Sequence, residues 1–350
     1  MLRSCRIACS AGYPEFDIRK MVSISGAAFA VGEKAVMRRS SWIGLTSAAI
    51  AAVPLRAPAQ TPAPLRVGVI PAEVAAEAFY AVEQGFFKNN GLEVELQSFN
   101  NGGSIASAVA GGALDVGLSD LLSVITAHAR GIPFAFLAPG ALSKNDARES
   151  VFGLLTRPED AIREARDFNG KTFATNALHN IGQLFAEAWI DANGGDSTTT
   201  HWVEMPYPAL IPALMQAKTV QVVGTNEPWM TVGKDAGAHT IYYEHNAISP
   251  TVMLSGWITT RDWVAKNAAV AAKFAAAMRD AARWANRNRA AAAPILARYT
   301  KLAPATIENM HRSEFAETFD PAAIVPTIDA AAKYGIIPKP FPMSEIVVTL

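Results

Sequence analysis

Five short clusters in this 350-residue chain have the residue types for recognising a small polar molecule. They are Ala72 between Pro71 and Glu73, Gly102-Gly103-Ser104, Ser119-Asp120, Thr175-Asn176 with His179-Asn180, and Asn226-Glu227 with Trp229. A loop that opens a helix exposes backbone N–H groups, and helix N-termini favour anions. Gly102-Gly103-Ser104 and the stretch from Asn176 to Asn180 therefore suit an oxyanion without help from Lys or Arg; the plain alternative is a turn. Asp120 either accepts hydrogen bonds from an amine or N-caps the helix after it. His179 either bonds an anion or caps and stacks. Glu227 either lines a cleft or holds backbone amides at a hinge. Trp229 is a cleft wall, given the contact area an indole supplies, or part of the core. Tyr80 faces one or the other.

Covalent chemistry finds little support. The chain has no G-x-S-x-G, no H-E-x-x-H and no Walker loop. His128, His179, His201, His239, His245 and His311 show no metal-ligand spacing. His239 and His245, beside a Tyr pair, read as a surface loop. Both cysteines, Cys5 and Cys9, precede the body, which excludes a cysteine nucleophile, a Cys-rich metal site and a disulfide framework there. A binding protein without cofactor or metal is expected rather than an enzyme.

The clusters follow segments that read as strands. Leu65–Ile70 (LRVGVI), Leu92–Ser98, Ala113–Leu118 and Phe134–Ala138 alternate with helical stretches. Val151–Thr156, Lys171–Thr175, His201–Met205 and Val220–Gly224 form a second such series. Strand and helix in alternation imply parallel α/β sheets. Ligands bind such sheets beyond the carboxyl ends of the strands, where the five clusters lie. From Trp263 onward the chain reads as helices, with one long helix to Asn288 and no new sheet.

Apolar residues make up 50% of the chain and charged ones 18%, and mean hydropathy is +0.15. Alanine accounts for much of this, which reads as an Ala-rich helical surface. No run approaches the ~18–20 apolar residues of a membrane span. Eight of the 31 basic residues but only three of the 31 acidic ones precede residue 60. The body is thus mildly acidic and lacks the basic field of a nucleic-acid binder. Arg38-Arg39, the apolar stretch Trp42–Val53 and Ala57-Pro58-Ala59 make residues 37–59 a signal peptide, with a loose twin-arginine pattern. Residues 1–36 read as an extension upstream of the true start, Met37. Export to the periplasm is the expectation.

The body resembles the periplasmic substrate-binding proteins of ABC importers, in the nitrate/sulfonate/taurine/thiamine-pyrimidine branch. Five motifs carry the likeness, in order: Glu83-x-Gly85-Phe86-Phe87-x-x-x-Gly91-Leu92-x-Val94; Gly112-x-x-Asp115-Val116-Gly117; Phe168-Asn169-Gly170-Lys171-Thr172; Leu214-Met215-Gln216-Ala217-Lys218-x-Val220-Gln221; and Glu227-Pro228-Trp229. Lys218 and Gln221 depart from the usual Gly and Asp, at a turn expected to lie away from the site. The resemblance implies a two-lobed periplasmic-binding-protein type II fold, α/β, each lobe a mainly parallel sheet flanked by helices, with a helical C-terminal tail. Residues 64–157 plus 255–350 would form lobe I and 158–254 lobe II. His179-Asn180 after Asn176 resembles the S-x-x-H-N of sulfonate binders. The implied function is capture of a small organic solute, sulfonate-, taurine- or nitrate-like or a carboxylate, and delivery to an ABC permease and its ATPase. A thiamine-precursor pyrimidine is the alternative ligand. An enzyme of the same fold, of pyrimidine-synthase or menaquinone-pathway type, is a further alternative. A monomer is expected, with no nucleic-acid partner.

Overall fold

A computed structural model describes residues 63–144, 150–241 and 247–349. The expected extension and signal peptide lie outside the described residues, as does His245. The first half begins with strands β1 (Leu65–Val69), β2 (Val94–Ser98), β3 (Val116–Asp120), β4 (Phe134–Pro139) and the short β5 (Ala141–Lys144). The second holds β6 (Phe152–Thr156), β7 (Thr172–Thr175), β8 (His201–Glu204), β9 (Val222–Asn226) and β10 (His239–Ile241). The chain then returns through β11 (Thr251–Met253), β12 (Ser255–Thr260) and β13 (Glu314–Phe315).

Two five-stranded sheets result, ordered β2-β1-β3-β12-β4 and β8-β7-β9-β6-β10. The two orders follow one pattern. In each, four strands run the same way and one runs against them: β12 pairs antiparallel with β3 and β4, and β6 with β9 and β10. Strands β11, β5 and β13 make a small third sheet.

Both sheets are covered by helices, so their inner strands are buried on both faces; β6 and β9 are buried along their whole length, as is β4 at the edge of the first sheet. The helix Gly102–Ala110 lies so close to the first sheet that a Cβ on Gly117 would stand 2.1 Å from Ile105 Cγ2. Trp257, Phe79, Phe136 and Phe274 fill the first half, and Phe168, Phe173 and Phe185 the second.

Four features differ from the sequence expectation. The strand Phe152–Thr156 pairs within the second sheet, so the sheets divide before it rather than at residue 157. The long C-terminal helix is two, Arg261–Lys266 and Ala268–Arg287, because Asn267 leaves the helical region. Six alanines of the second are buried rather than exposed, their small side chains letting the helix sit close to the sheet. The tail does add strand, since β13 pairs with β5 and Val347 bridges Phe136.

The two motif departures are locally satisfied. Lys218 adopts the left-handed conformation (φ 54°) that favours Gly, and its ammonium pairs with Glu159 at 3.0 Å. Gln221 Oε1 accepts from Thr172 N at 2.9 Å, tying the residue before β9 to the start of β7.

Candidate functional site

The carboxyl ends of the parallel strands from both sheets face one cleft. Its first-sheet wall includes Ile70, Val74, Gly102, Leu118, Ser119, Asp120 and Ser255. The opposing wall includes Phe152, Asn176, Asn180, Ile181, Gly182, Tyr207 and Asn226. The space open to water centres is ≈ 60 Å³; one water needs ~10–15 Å³ by this measure, so the cleft suits a compact solute. A larger groove of ≈ 950 Å³ runs past Arg66, Lys88, Glu95 and Trp263 at the opposite end of β1. It draws on the first half alone, whereas both halves build the cleft.

Six of the thirteen candidate residues line the cleft: Gly102, Ser119, Asp120, Asn176, Asn180 and Asn226. Asp120 ends β3 and caps the helix Leu121–Ala129. Its Oδ1 accepts from Ser123 N at 3.0 Å and its Oδ2 from Ser123 Oγ at 2.5 Å. Oδ1 also accepts from Ile181 N at 3.2 Å, across the cleft. Burial pushes this carboxyl above its ordinary range, while the donors from Ser123 and Ile181 oppose the shift. Asn180 caps the helix Ile181–Ala192 and donates to Asn176 Oδ1 at 3.1 Å. Burial likewise raises Tyr207, while the Asn226 amide opposes the shift.

The other seven candidates do not line it. Ala72 is buried, its N–H turned back to Ile70 O. Thr175 is buried inside the end of β7. Gly103 and Ser104 are exposed in the first helical turn, with Ser104 N bonded to Asn101 Oδ1. His179 is exposed, with φ 56° and its amide donating to Gln183 Oε1. Glu227 lies fully buried below the cleft, where its carboxylate accepts from Thr231 N (2.9 Å), Thr231 Oγ1 (3.1 Å) and His311 N (3.4 Å). These bonds to backbone amides tie the segment after β9 to the C-terminal tail. Burial raises its carboxyl too, against those donors and Lys234. Trp229 is 8% exposed and stacks on Tyr207 (6.0 Å, 5°), one layer behind the wall. Tyr80 takes the core alternative.

Phe152, Tyr207 and Ser255 were absent from the sequence expectation. Phe152 and Ser255 open the antiparallel strands β6 and β12, which present their amino ends to the cleft, so the carboxyl-end rule passes over them. Tyr207 follows β8 and obeys that rule; the strand end at Glu204 was the available signal. Gly182 is the partner Phe152 requires: a Cβ there would stand 2.3 Å from the ring.

Asn101 Nδ2 donates to Glu204 Oε1 at 3.3 Å, a further bond between the halves. Among the described residues lining the cleft there is no Lys, Arg or His. Nor do the described residues contain three His, Cys, Asp or Glu grouped to hold a metal, or a helix long and apolar enough to cross a membrane.

Comparison with known proteins places this geometry. The alkanesulfonate-binding protein SsuA of Xanthomonas axonopodis pv. citri, bound to MOPS, superposes with TM-score 0.68 at 17% identity, over 82% of this chain and 98% of that one. A ligand-binding component of an ABC-type import system from Staphylococcus aureus gives 0.68 at 13%, over 81% and 96%. The periplasmic nitrate-binding protein NrtA of Synechocystis PCC 6803 gives 0.61 at 16%, over 71% and 68%. The fold is therefore that of the periplasmic binding proteins. A curated relative, the 4-amino-5-hydroxymethyl-2-methylpyrimidine phosphate synthase of Schizosaccharomyces pombe, is 28% identical over 93 residues; the match spans 27% of this chain and 25% of that protein. The NMT1/THI5 like family profile matches residues 73–292, and the chain belongs to that family.

Proposed function

We propose that this protein is an extracytoplasmic solute-binding protein that captures a small organic solute between its two lobes and delivers it to an ABC permease and ATPase. The observation that carries the reading is the cleft built by strand ends of both sheets and lined by polar and aromatic side chains. Two lobes that contribute to one site gain ligand contacts in full only when closed, so ligand selects the closed form. The membrane complex would read that closed form. The leader expected at residues 37–59 fits export. The lobes are the two sheet-centred halves, divided before β6.

A thermal-shift screen with taurine, alkanesulfonates, nitrate, aromatic carboxylates and aminopyrimidines tests the reading. A ligand at about 100 times its Kd adds roughly 2.7 kcal/mol. One class is expected to shift the melting, with compaction in small-angle scattering. A binding shift without compaction sinks lobe closure. No shift with any class, and no small molecule released on denaturation, sinks solute capture.

One observation favours the aminopyrimidine alternative over an anionic solute. The carboxylate of Asp120 lines the same cleft as the rings of Phe152 and Tyr207 on the opposing wall, a setting for a planar ring that carries N–H donors. The 93-residue match to a pyrimidine phosphate synthase points the same way.

A further inference from the structure

The cleft offers acceptors where an anion would need donors. Three helices begin at it, and each is already capped by a side chain of its own. Asn101 Oδ1 accepts from Ser104 N at 2.9 Å, Asp120 Oδ1 from Ser123 N at 3.0 Å, and Asn180 Oδ1 from Gln183 N at 3.0 Å. The first amide of the helix Ile181–Ala192 is also taken, by Asp120 from the opposite half. The carboxylate thus sits where one oxygen of a bound anion would sit, and it brings a negative charge with no lining cation against it.

Two acceptor positions lack a full set of donors. A carboxylate oxygen takes about two hydrogen bonds. Asp120 Oδ1 has two N–H partners, whereas Oδ2 has only Ser123 Oγ. Asn226 is 7% exposed and lines the cleft, and its Oδ1 is buried with no partner among the described residues. A buried acceptor left unpaired costs free energy until something donates to it.

We propose that Asp120 and Asn226 select a ligand end bearing N–H donors, of the protonated amine or amidine class, and that Asp120 excludes anions by occupying their place itself. This rests on the solute-capture reading above and adds the polarity of the captured group. It separates this cleft from those of the sulfonate- and nitrate-binding neighbours despite the shared fold.

Benzamidine and benzoate test it, being planar, alike in size and opposite in charge. Titration calorimetry on the wild-type protein is expected to give at least about tenfold tighter binding of benzamidine, the effect of one charged hydrogen bond. Asp120→Ser keeps an N-cap for the helix Leu121–Ala129. It is expected to weaken benzamidine by about tenfold or more and to admit benzoate. Asn226→Ala should weaken benzamidine without admitting benzoate, and it carries the test should Asp120→Ser not fold. Benzoate bound as well as benzamidine by the wild type, or an unchanged preference in both variants, overturns the assignment and leaves solute capture standing. Binding of neither probe overturns the assignment, and only a failed screen with the wider panel would remove solute capture as well.

Discussion

Two regions of the first half bury carboxylates, and they do so differently. At the cleft, Asp120 has donors from Ser123 and Ile181 and keeps a face toward open space. At the start of the helix Ala76–Glu83, Glu77 in its first turn and Glu73 just before it sit in packed core. Glu73 Oε1 accepts from Arg312 Nε (2.9 Å) and Ser313 N (3.1 Å), and Arg312 also donates to Tyr80 at 2.6 Å. Glu77 has the Trp257 indole N–H at 3.0 Å and no counter-charge in contact. Burial raises all three carboxyls. A perturbed acid therefore does not mark a binding site by itself; adjoining space does. Glu73, Glu77, Arg312 and Tyr80 hold the fold, whereas Asp120 lines the cleft proposed to take the solute.

The sharpest way to break this contrast is Arg312→Met. It strands a buried Glu73, and loss of one partner of a buried pair costs about 3–5 kcal/mol. Denaturant unfolding reads the loss. A cost near that of Asp120→Ser, expected below ~1 kcal/mol because Ser still caps the helix, would erase the distinction between the regions.

Gly182→Ala probes the cleft side. The new methyl must displace the Phe152 ring, and overpacking costs about 1–3 kcal/mol. The ring's available direction is into the cleft. Ligand affinity should fall in this variant, whereas Gly117→Ala, crowded by Ile105 away from the cleft, should lose stability with ligand affinity retained. Titration calorimetry beside thermal melts separates the two.

Glu77→Gln gives the pH signature. A carboxyl whose pKa is raised by folding holds a proton that the unfolded chain has lost. Its stabilising contribution is full below the ordinary Glu range and is lost as pH rises through the folded value. The variant should gain stability over wild type at neutral pH, with the gain shrinking toward pH 4. A constant difference across that window would mean that Glu77 does not titrate with folding.

Much of this was legible in the residues. The β-branched alternation of LRVGVI and its counterparts located most strands, and the carboxyl-end rule brought Gly102, Ser119, Asp120, Asn176, Asn180 and Asn226 to one place. The rule overreached at His179 and Ser104, which follow strand ends but turn outward once the helix is capped. It was blind to Phe152 and Ser255, because strand direction is a property of pairing and not of a segment. Glu227 and Trp229 sit one layer too deep, a distinction set by which neighbour packs first. The short strand at His239 was hidden by its partly exposed, polar edge position.

The sheet orders carry a consequence for how the chain assembles. Every strand of the second sheet lies between Phe152 and Ile241, so that half closes upon local partners. The first sheet has its four leading strands by Pro139 but must wait for β12, which begins at Ser255, to join β3 to β4. Lower contact order favours earlier formation. On a ribosome the second half would be complete while the first still lacks the strand between β3 and β4, with the facing edges of Val116–Asp120 and Phe134–Pro139 unpaired. Pulse-labelled hydrogen exchange should find β7 and β9 protected before β3 and β4. The segment most exposed to mispairing during synthesis is then the one that carries Asp120.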